Sequence, residues 1–155
     1  MTGVVLAVDP GPTSGFVLLA PGCPPLAYSC NHRAAYGLAC FLISSAGNGN
    51  LAVVTAAGEE FREGRGAGAR RAGGQVTRQV IADLSDLLGW HWRPAVTVKA
   101  WATDKRLLAA GLYDLTAKMP DSRDAARHSL YAAVHDAGWP DPLSKDGPAF
   151  WGAMC

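Results

Sequence analysis

Residues 4–19 read VVLAVDPGPTSGFVLL, and the parsing of this stretch decides the fold. A β-branched apolar run, GVVLAVD over residues 3–9, ends at an aspartate and meets Pro10-Gly11-Pro12 at once. Proline removes a backbone donor and glycine opens turn conformations, so this triplet ends a strand. A second apolar run, GFVLLA over residues 15–20, follows with no room for a crossover helix. Two such runs joined so tightly predict an antiparallel pair. After the breaker PGCPP at 21–25, residues 26–31 predict a third strand and complete a meander.

Downstream the periodicity changes. Ala34, Leu38, Phe41, Leu42 and Ser45 fall at helical spacing, and Asn48-Gly49-Asn50 breaks that helix. LAVVTAA at 51–57 lacks polar alternation and predicts a fourth strand buried on both faces. Residues 63–74 are rich in glycine and arginine and predict a loop. Val76, Val80, Leu84, Leu87 and Leu88 mark a helix over 75–88. Residues 95–100 predict a fifth strand, and 104–112 a short helix capped by Thr103 or Asp104. Pro120-Asp121-Ser122 opens a last helix that runs to about residue 137 and closes at Gly138 and Pro140. Residues 139–155, with three prolines, are expected to form an irregular tail beyond a single domain of residues 1–138. The order βββαβαβαα predicts an α/β fold: a mixed five-stranded sheet, three strands antiparallel and the rest parallel, flanked by helices.

Composition sets limits. At 155 residues and 49% hydrophobic, the chain has the apolar content for one domain with a real core. No run approaches the roughly 18–20 apolar residues of a spanning helix, so no membrane partner is expected. The first eight residues carry no basic n-region, so no signal peptide is expected either. Cys23, Cys30, Cys40 and Cys155 have no metal-ligand spacing and read as reduced thiols of a cytoplasmic protein. A net charge of +1 argues against binding nucleic acid by bulk charge. The distribution says otherwise: between residues 62 and 78, Arg62, Arg65, Arg70, Arg71 and Arg78 face Glu63 alone, a local +4.

The acidic residues matter by position. Asp9 directly follows the first strand, and Glu59 and Glu60 lie just past the fourth. Asp121 and Asp124 fall in the first turn of the last helix, with His128 one turn on, at spacings that share a helical face. Carboxylates converging at one sheet edge repel unless a cation neutralises them, and Mg²⁺ suits such hard oxygen ligands. Taken singly, Asp9 is also a turn former, Asp121 and Asp124 are also helix-start residues, and His128 is also an ordinary core or surface histidine.

In that order, these motifs resemble the RuvC-like Holliday junction resolvases of the RNase H-like superfamily, above all the bacteriophage type. The resemblance rests on residues 4–19, on Glu59-Glu60-Phe61 as a Glu-x-Phe, on DSRDAARHSLYAA at 121–133, and on KAWATDKRLLAAGLY at 99–113. It spans residues 4–138 and implies Asp9, Glu59, Asp121 and Asp124 as metal-binding carboxylates. His128 is then a ligand, a proton carrier or a bystander. The resemblance favours Glu59 over Glu60, although the acidic position normally ends the strand and here lies beyond Ala57. It implies two Mg²⁺ ions per site, with Mn²⁺ substituting, hydrolysing a phosphodiester to a 5′-phosphate and a 3′-hydroxyl. Branched DNA is the implied substrate, and a C2 homodimer the implied assembly, since opposing nicks need two sites. A phage protein of this type would work in the host cytoplasm.

For DNA contacts the sequence offers Arg62, Arg65, Arg70, Arg71, Arg78, Lys105 and Arg106, with Phe61 as a stacking residue. The helix over 75–88 is a candidate dimer interface, and Trp90, Trp92 and Trp101 read as core or dimer surface. Competing readings are a nuclease of the same fold acting on flap, fork or RNA substrates, and a non-catalytic junction-binding module. Asp9-Pro-Gly-Pro-Thr-Ser-Gly also resembles the first phosphate loop of actin-like ATPases, but those need a second lobe.

Overall fold

The computed structural model describes residues 3–48, 52–62 and 69–154. Five strands form one sheet: β1 (Gly3–Asp9), β2 (Thr13–Leu19), β3 (Leu26–Asn31), β4 (Ala52–Glu59) and β5 (Trp90–Arg93). Their spatial order is β3-β2-β1-β4-β5. β1, β2 and β3 pair antiparallel, while β4 pairs parallel with β1 and with β5. This is the mixed sheet that the meander followed by alternating elements predicts.

β1 is central and buried on both faces. Val5 packs with Val17 and Leu19 on one side; Val4, Leu6 and Val8 pack with Phe16 and Leu18 on the other. The first side is covered by α6 (Pro120–His135). The second is covered by α1 (His32–Asn48) and α2 (Ala69–Ser85). α1 turns inward on Ala35, Ala39, Leu42 and Ala46, with Leu38 partly packed on the same core; Leu42 and Leu38 keep the expected stripe, while Ala34, Phe41 and Ser45 are exposed. Small alanines let it lie close to the sheet, while the larger Tyr36 and Phe41 stay exposed.

The fifth strand is displaced from its expected place. Residues 95–100, read as a strand, belong to α3 (Ala95–Trp101), and the strand is the preceding WHWR. Exposure separates the two: Val96 is 71% exposed and Val98 0%, whereas a strand would put both on one face. Pro94 starts the helix, having a fixed φ and no donor that a helix start would need. In β5, Trp90 and Trp92 share a face, stack at 5.3 Å, and donate their indole N–H groups to Leu84 O and Ser85 Oγ at the end of α2.

Two further expectations are corrected. Residues 69–74, read as loop, form the first turns of α2; residues 63–68 lie outside the described residues. Nor is the tail irregular throughout: α7 (Gly147–Gly152) lies within it, and Trp139, Trp151 and Met154 join the core beneath α6. Between these lie α4 (Asp104–Ala109), capped by Thr103 Oγ1, and α5 (Leu112–Leu115). Arg106 ties α4 to the tail through a two-nitrogen pair with Asp141, a bond to Trp101 O, and stacking on the Trp101 ring. Cys23, Cys30 and Cys40 are free thiols. Among the described residues, no helix is long and apolar enough to cross a membrane.

Candidate functional site

The site forms where parallel strands end together. β1 and β4 run in register to Val8↔Gly58, so Asp9 and Glu59 emerge side by side. The sequence expects β4 to stop at Ala57, but it continues through Gly58 and ends on Glu59. Glycine permits this because the Trp92 ring lies where a Gly58 Cβ would stand. Glu60, the open alternative, is half-buried at the same cleft and pairs with Arg62 at 2.9 Å.

α6 supplies the other wall. Its first turn crosses β2 so closely that a Cβ on Gly15 would overlap the Asp121 backbone. Gly15 is the register partner of Asp9. Ser122 Oγ donates to Tyr28 O at 2.6 Å and fixes the same turn to β3. Asp124 thereby joins Asp9 and Glu59, one ligand oxygen of each lying within 4.8 Å of the others. Asp121 lies outside that trio, near enough to act on Asp9 through its charge.

Electrostatics follow from the crowding. Burial, then the charges of Glu59, Asp124 and Asp121, push the Asp9 carboxyl up to about 8. Glu59 and Asp121 are also raised, each chiefly by burial. His128 is 1% exposed, and burial with the nearby Lys99 and Arg93 charges lowers it to about 4, so it is neutral. Its Nε2 lies 3.9 Å from Glu59 Oε2. Lys99 is the residue that the sequence reading missed: placed on a strand there, it projects from α3 to Asp124 Oδ1 at 3.1 Å. The signal was present in Arg93-Pro94-Ala95, since a proline opening a helix turns Lys99 toward the last helix.

Three clustered, partly solvated carboxylates, Asp9 and Glu59 among them held above their usual range, form a donor set of hard oxygens. That set fits a divalent cation such as Mg²⁺ or Mn²⁺. A cleft of about 300 Å³ is lined by Asp9, Glu59 and Glu60 together with Phe61, Arg62, Thr77 and Pro94–Val96. Phe61 rests on Gly74 of α2, and Arg78 lies over its ring at 5.1 Å. Arg62 is exposed at the rim. Arg70 and Arg71 lie on the first turn of α2, and Arg65 lies outside the described residues. Lys105 is exposed on α4, whereas the Arg106 guanidinium is engaged with Asp141 and Trp101.

The sheet order, the crossing of α6 and the carboxylates at the strand ends define a fold of the RNase H-like, RuvC type. The solved structures it resembles include two of RuvC from Thermus thermophilus. One, RuvC in complex with a Holliday junction substrate, has a TM-score of 0.56 and 16% identity over 86% of this chain and 96% of that one. Another structure of the same protein has a TM-score of 0.55 and 16% identity, over 90% and 99%. No protein-family model and no curated protein sequence matches the chain.

Proposed function

We propose that this protein is a divalent-metal-dependent endonuclease that resolves four-way DNA junctions. The observation that carries the reading is the convergence of Asp9, Glu59 and Asp124 at the ends of β1 and β4, on a fold shared with a junction-bound RuvC. Those three residues hold the cation, with Asp121 flanking them. When bound, a divalent cation activates water and offsets the charge of the phosphodiester and its leaving oxygen. With two such ions, Mg²⁺ or Mn²⁺, bound, attack of water on phosphorus with cleavage of the P–O3′ bond would give a 5′-phosphate and a 3′-hydroxyl.

The chain's own groups do the rest. Lys99 holds one oxygen of Asp124 and orients that carboxylate. The open cleft admits a backbone strand past Phe61, whose ring stacks against a base at the crossover. Arg62, Arg78, Lys105 and the arginines of residues 65–71 grip phosphates without reading sequence. A homodimer supplies a second site for the opposing strand. The apolar stripe of α2 is spent on the sheet through Val80 and Leu84, so the interface uses the outer faces of α2 and α1, where Tyr36 and Phe41 are exposed. A phage origin and action in the host cytoplasm fit the sequence motifs.

The deciding experiment incubates a mobile four-way junction, a flap, a fork and a hairpin RNA with Mg²⁺. Wild type is compared with Asp9→Asn and Asp124→Asn. Symmetric nicks in the junction, lost in both variants while junction binding survives, are expected. Preferential cutting of flap, fork or RNA reassigns the substrate, and metal-dependent binding without cleavage reduces the protein to a junction-binding module.

A further inference from the structure

His128 lies one turn beyond Asp124 on α6 and is 1% exposed. Among the described residues, neither of its ring nitrogens has a hydrogen-bond partner. Buried polar atoms are paired with few exceptions, so a doubly orphaned imidazole calls for a use. Packing does not supply one. The helix positions around it are Ala125, Ser129 and Ala132, and an aliphatic side chain would fill such a face without a buried polar cost. His128 contributes no atom to the carboxylate trio. Its approach to the cluster is to Glu59 Oε2, 3.9 Å from Nε2, which is beyond hydrogen-bond length.

Glu59 has two oxygens and two claims on them. In this structure its carboxyl faces Asp9, one ligand oxygen of each lying within 4.8 Å of the other. A cation seated between Asp9 and Glu59 needs one Glu59 oxygen and leaves the second to another partner. The terminal torsion of a glutamate is soft, so a small rotation carries Oε2 onto the imidazole. We propose that His128 is a positioning residue for the divalent-cation site: its Nε2–H holds Glu59 Oε2, so that Glu59 meets the cation through its other oxygen in one fixed orientation. Groups that hold a ligating carboxylate in this way tune metal affinity about as strongly as some ligands do. The proposal rests on the metal-binding reading of Asp9, Glu59 and Asp124.

The test reads Mn²⁺ affinity of the whole protein by electron paramagnetic resonance, without DNA. His128→Leu removes the donor, His128→Gln places an amide nitrogen near the Nε2 position, and His128→Asn places one near Nδ1. Expected are losses of about 10- to 100-fold in His128→Leu and His128→Asn, with His128→Gln within about threefold of wild type. Thermal melts confirm folding; if His128→Leu does not fold, the two amide variants, equal in polarity, carry the comparison. Wild-type affinity in His128→Leu, or equal affinity in His128→Gln and His128→Asn, overturns the positioning role. Asp9→Asn and Asp124→Asn run in parallel. Loss of Mn²⁺ there with none in His128→Leu refutes His128 alone, whereas retained Mn²⁺ in both refutes the metal site itself.

Discussion

Gly15 lies under the backbone of Asp121, so close that it has no room for a Cβ. Gly15 is also the register partner of Asp9. One missing methyl group therefore sets how near the last helix comes to the end of the first strand, and with it the distance from Asp124 to Asp9.

Gly15→Ala is expected to push the start of α6 off the sheet. Backbone atoms, not a movable side-chain tip, occupy the space, so strain of about 1–3 kcal/mol follows. Mn²⁺ affinity should fall with the melting temperature, because the trio is pulled apart. Gly37→Ala, inside α1 with open space around the added Cβ, is the control: it should leave Mn²⁺ affinity unchanged and raise the melting temperature slightly, since alanine is the better helix former. Unaltered Mn²⁺ affinity in Gly15→Ala would show that the helix position does not set the site.

The cluster should make the protein's stability fall with pH when no divalent cation is present. Asp9 has an ordinary carboxyl value near 4 when unfolded and about 8 when folded. Its stabilising neutral form is fully present below the lower value and is lost as pH rises through the upper one. Below pH 6.5, His128 opposes this, because its lowered value makes the folded protein shed a proton there. The clean window is therefore pH 6.5 to 8.5. In chelator, wild type should lose several degrees of melting temperature across it, and Asp9→Asn should stay nearly flat. Millimolar Mg²⁺ should reverse the order at pH 8.5. A flat wild-type curve in chelator contradicts the raised Asp9 value.

What was legible in the sequence and what was not divide along physical lines. β1, β2 and the last helix are written in strong local signals: an uninterrupted β-branched run, a Pro-Gly turn and a proline-opened helix. Asp9, Glu59 and Asp124 could be found because each sits at an element end. β5 was not legible because WHWR is short and its aromatic alternation is weaker than the β-branched AVTV beside it, yet Trp92 needs the space left by Gly58. No window shows that pairing, since 34 residues separate the two. Lys99 went unseen for the same reason: its helix was read as a strand. The tail helix was hidden by its prolines, and its burial comes from Trp151 reaching under α6. Each miss is a case where tertiary contacts outweigh local propensity.

Lys99 should set the pH at which the site takes up metal. Its ammonium lies 3.1 Å from Asp124 and lowers the Glu59 carboxyl against the stronger upward pull of burial. Removing the charge weakens the opposition to that pull, so Glu59 ionises at higher pH. Lys99→Met should move the midpoint of Mn²⁺ uptake to higher pH, and Lys99→Arg should restore it. A midpoint that stays or falls in Lys99→Met contradicts the assignment.

The arginines should separate into one that holds the fold and one that holds phosphate. Arg106 makes a charge-assisted pair with Asp141, bonds Trp101 O and stacks on the Trp101 ring. Arg106→Gln is expected to cost about 1.5–3 kcal/mol by loosening the tail from α4. The slope of junction affinity against salt should not change, because that guanidinium is already engaged. Arg62 is mostly exposed and, among the described residues, pairs with the half-buried Glu60, a pairing worth about 1 kcal/mol or less. Arg62→Gln should leave the melting temperature within a degree or two of wild type and flatten the salt slope by about one unit. Melting curves and binding isotherms at four salt concentrations decide both. A flattened slope in Arg106→Gln with no thermal loss would return that residue to the DNA face.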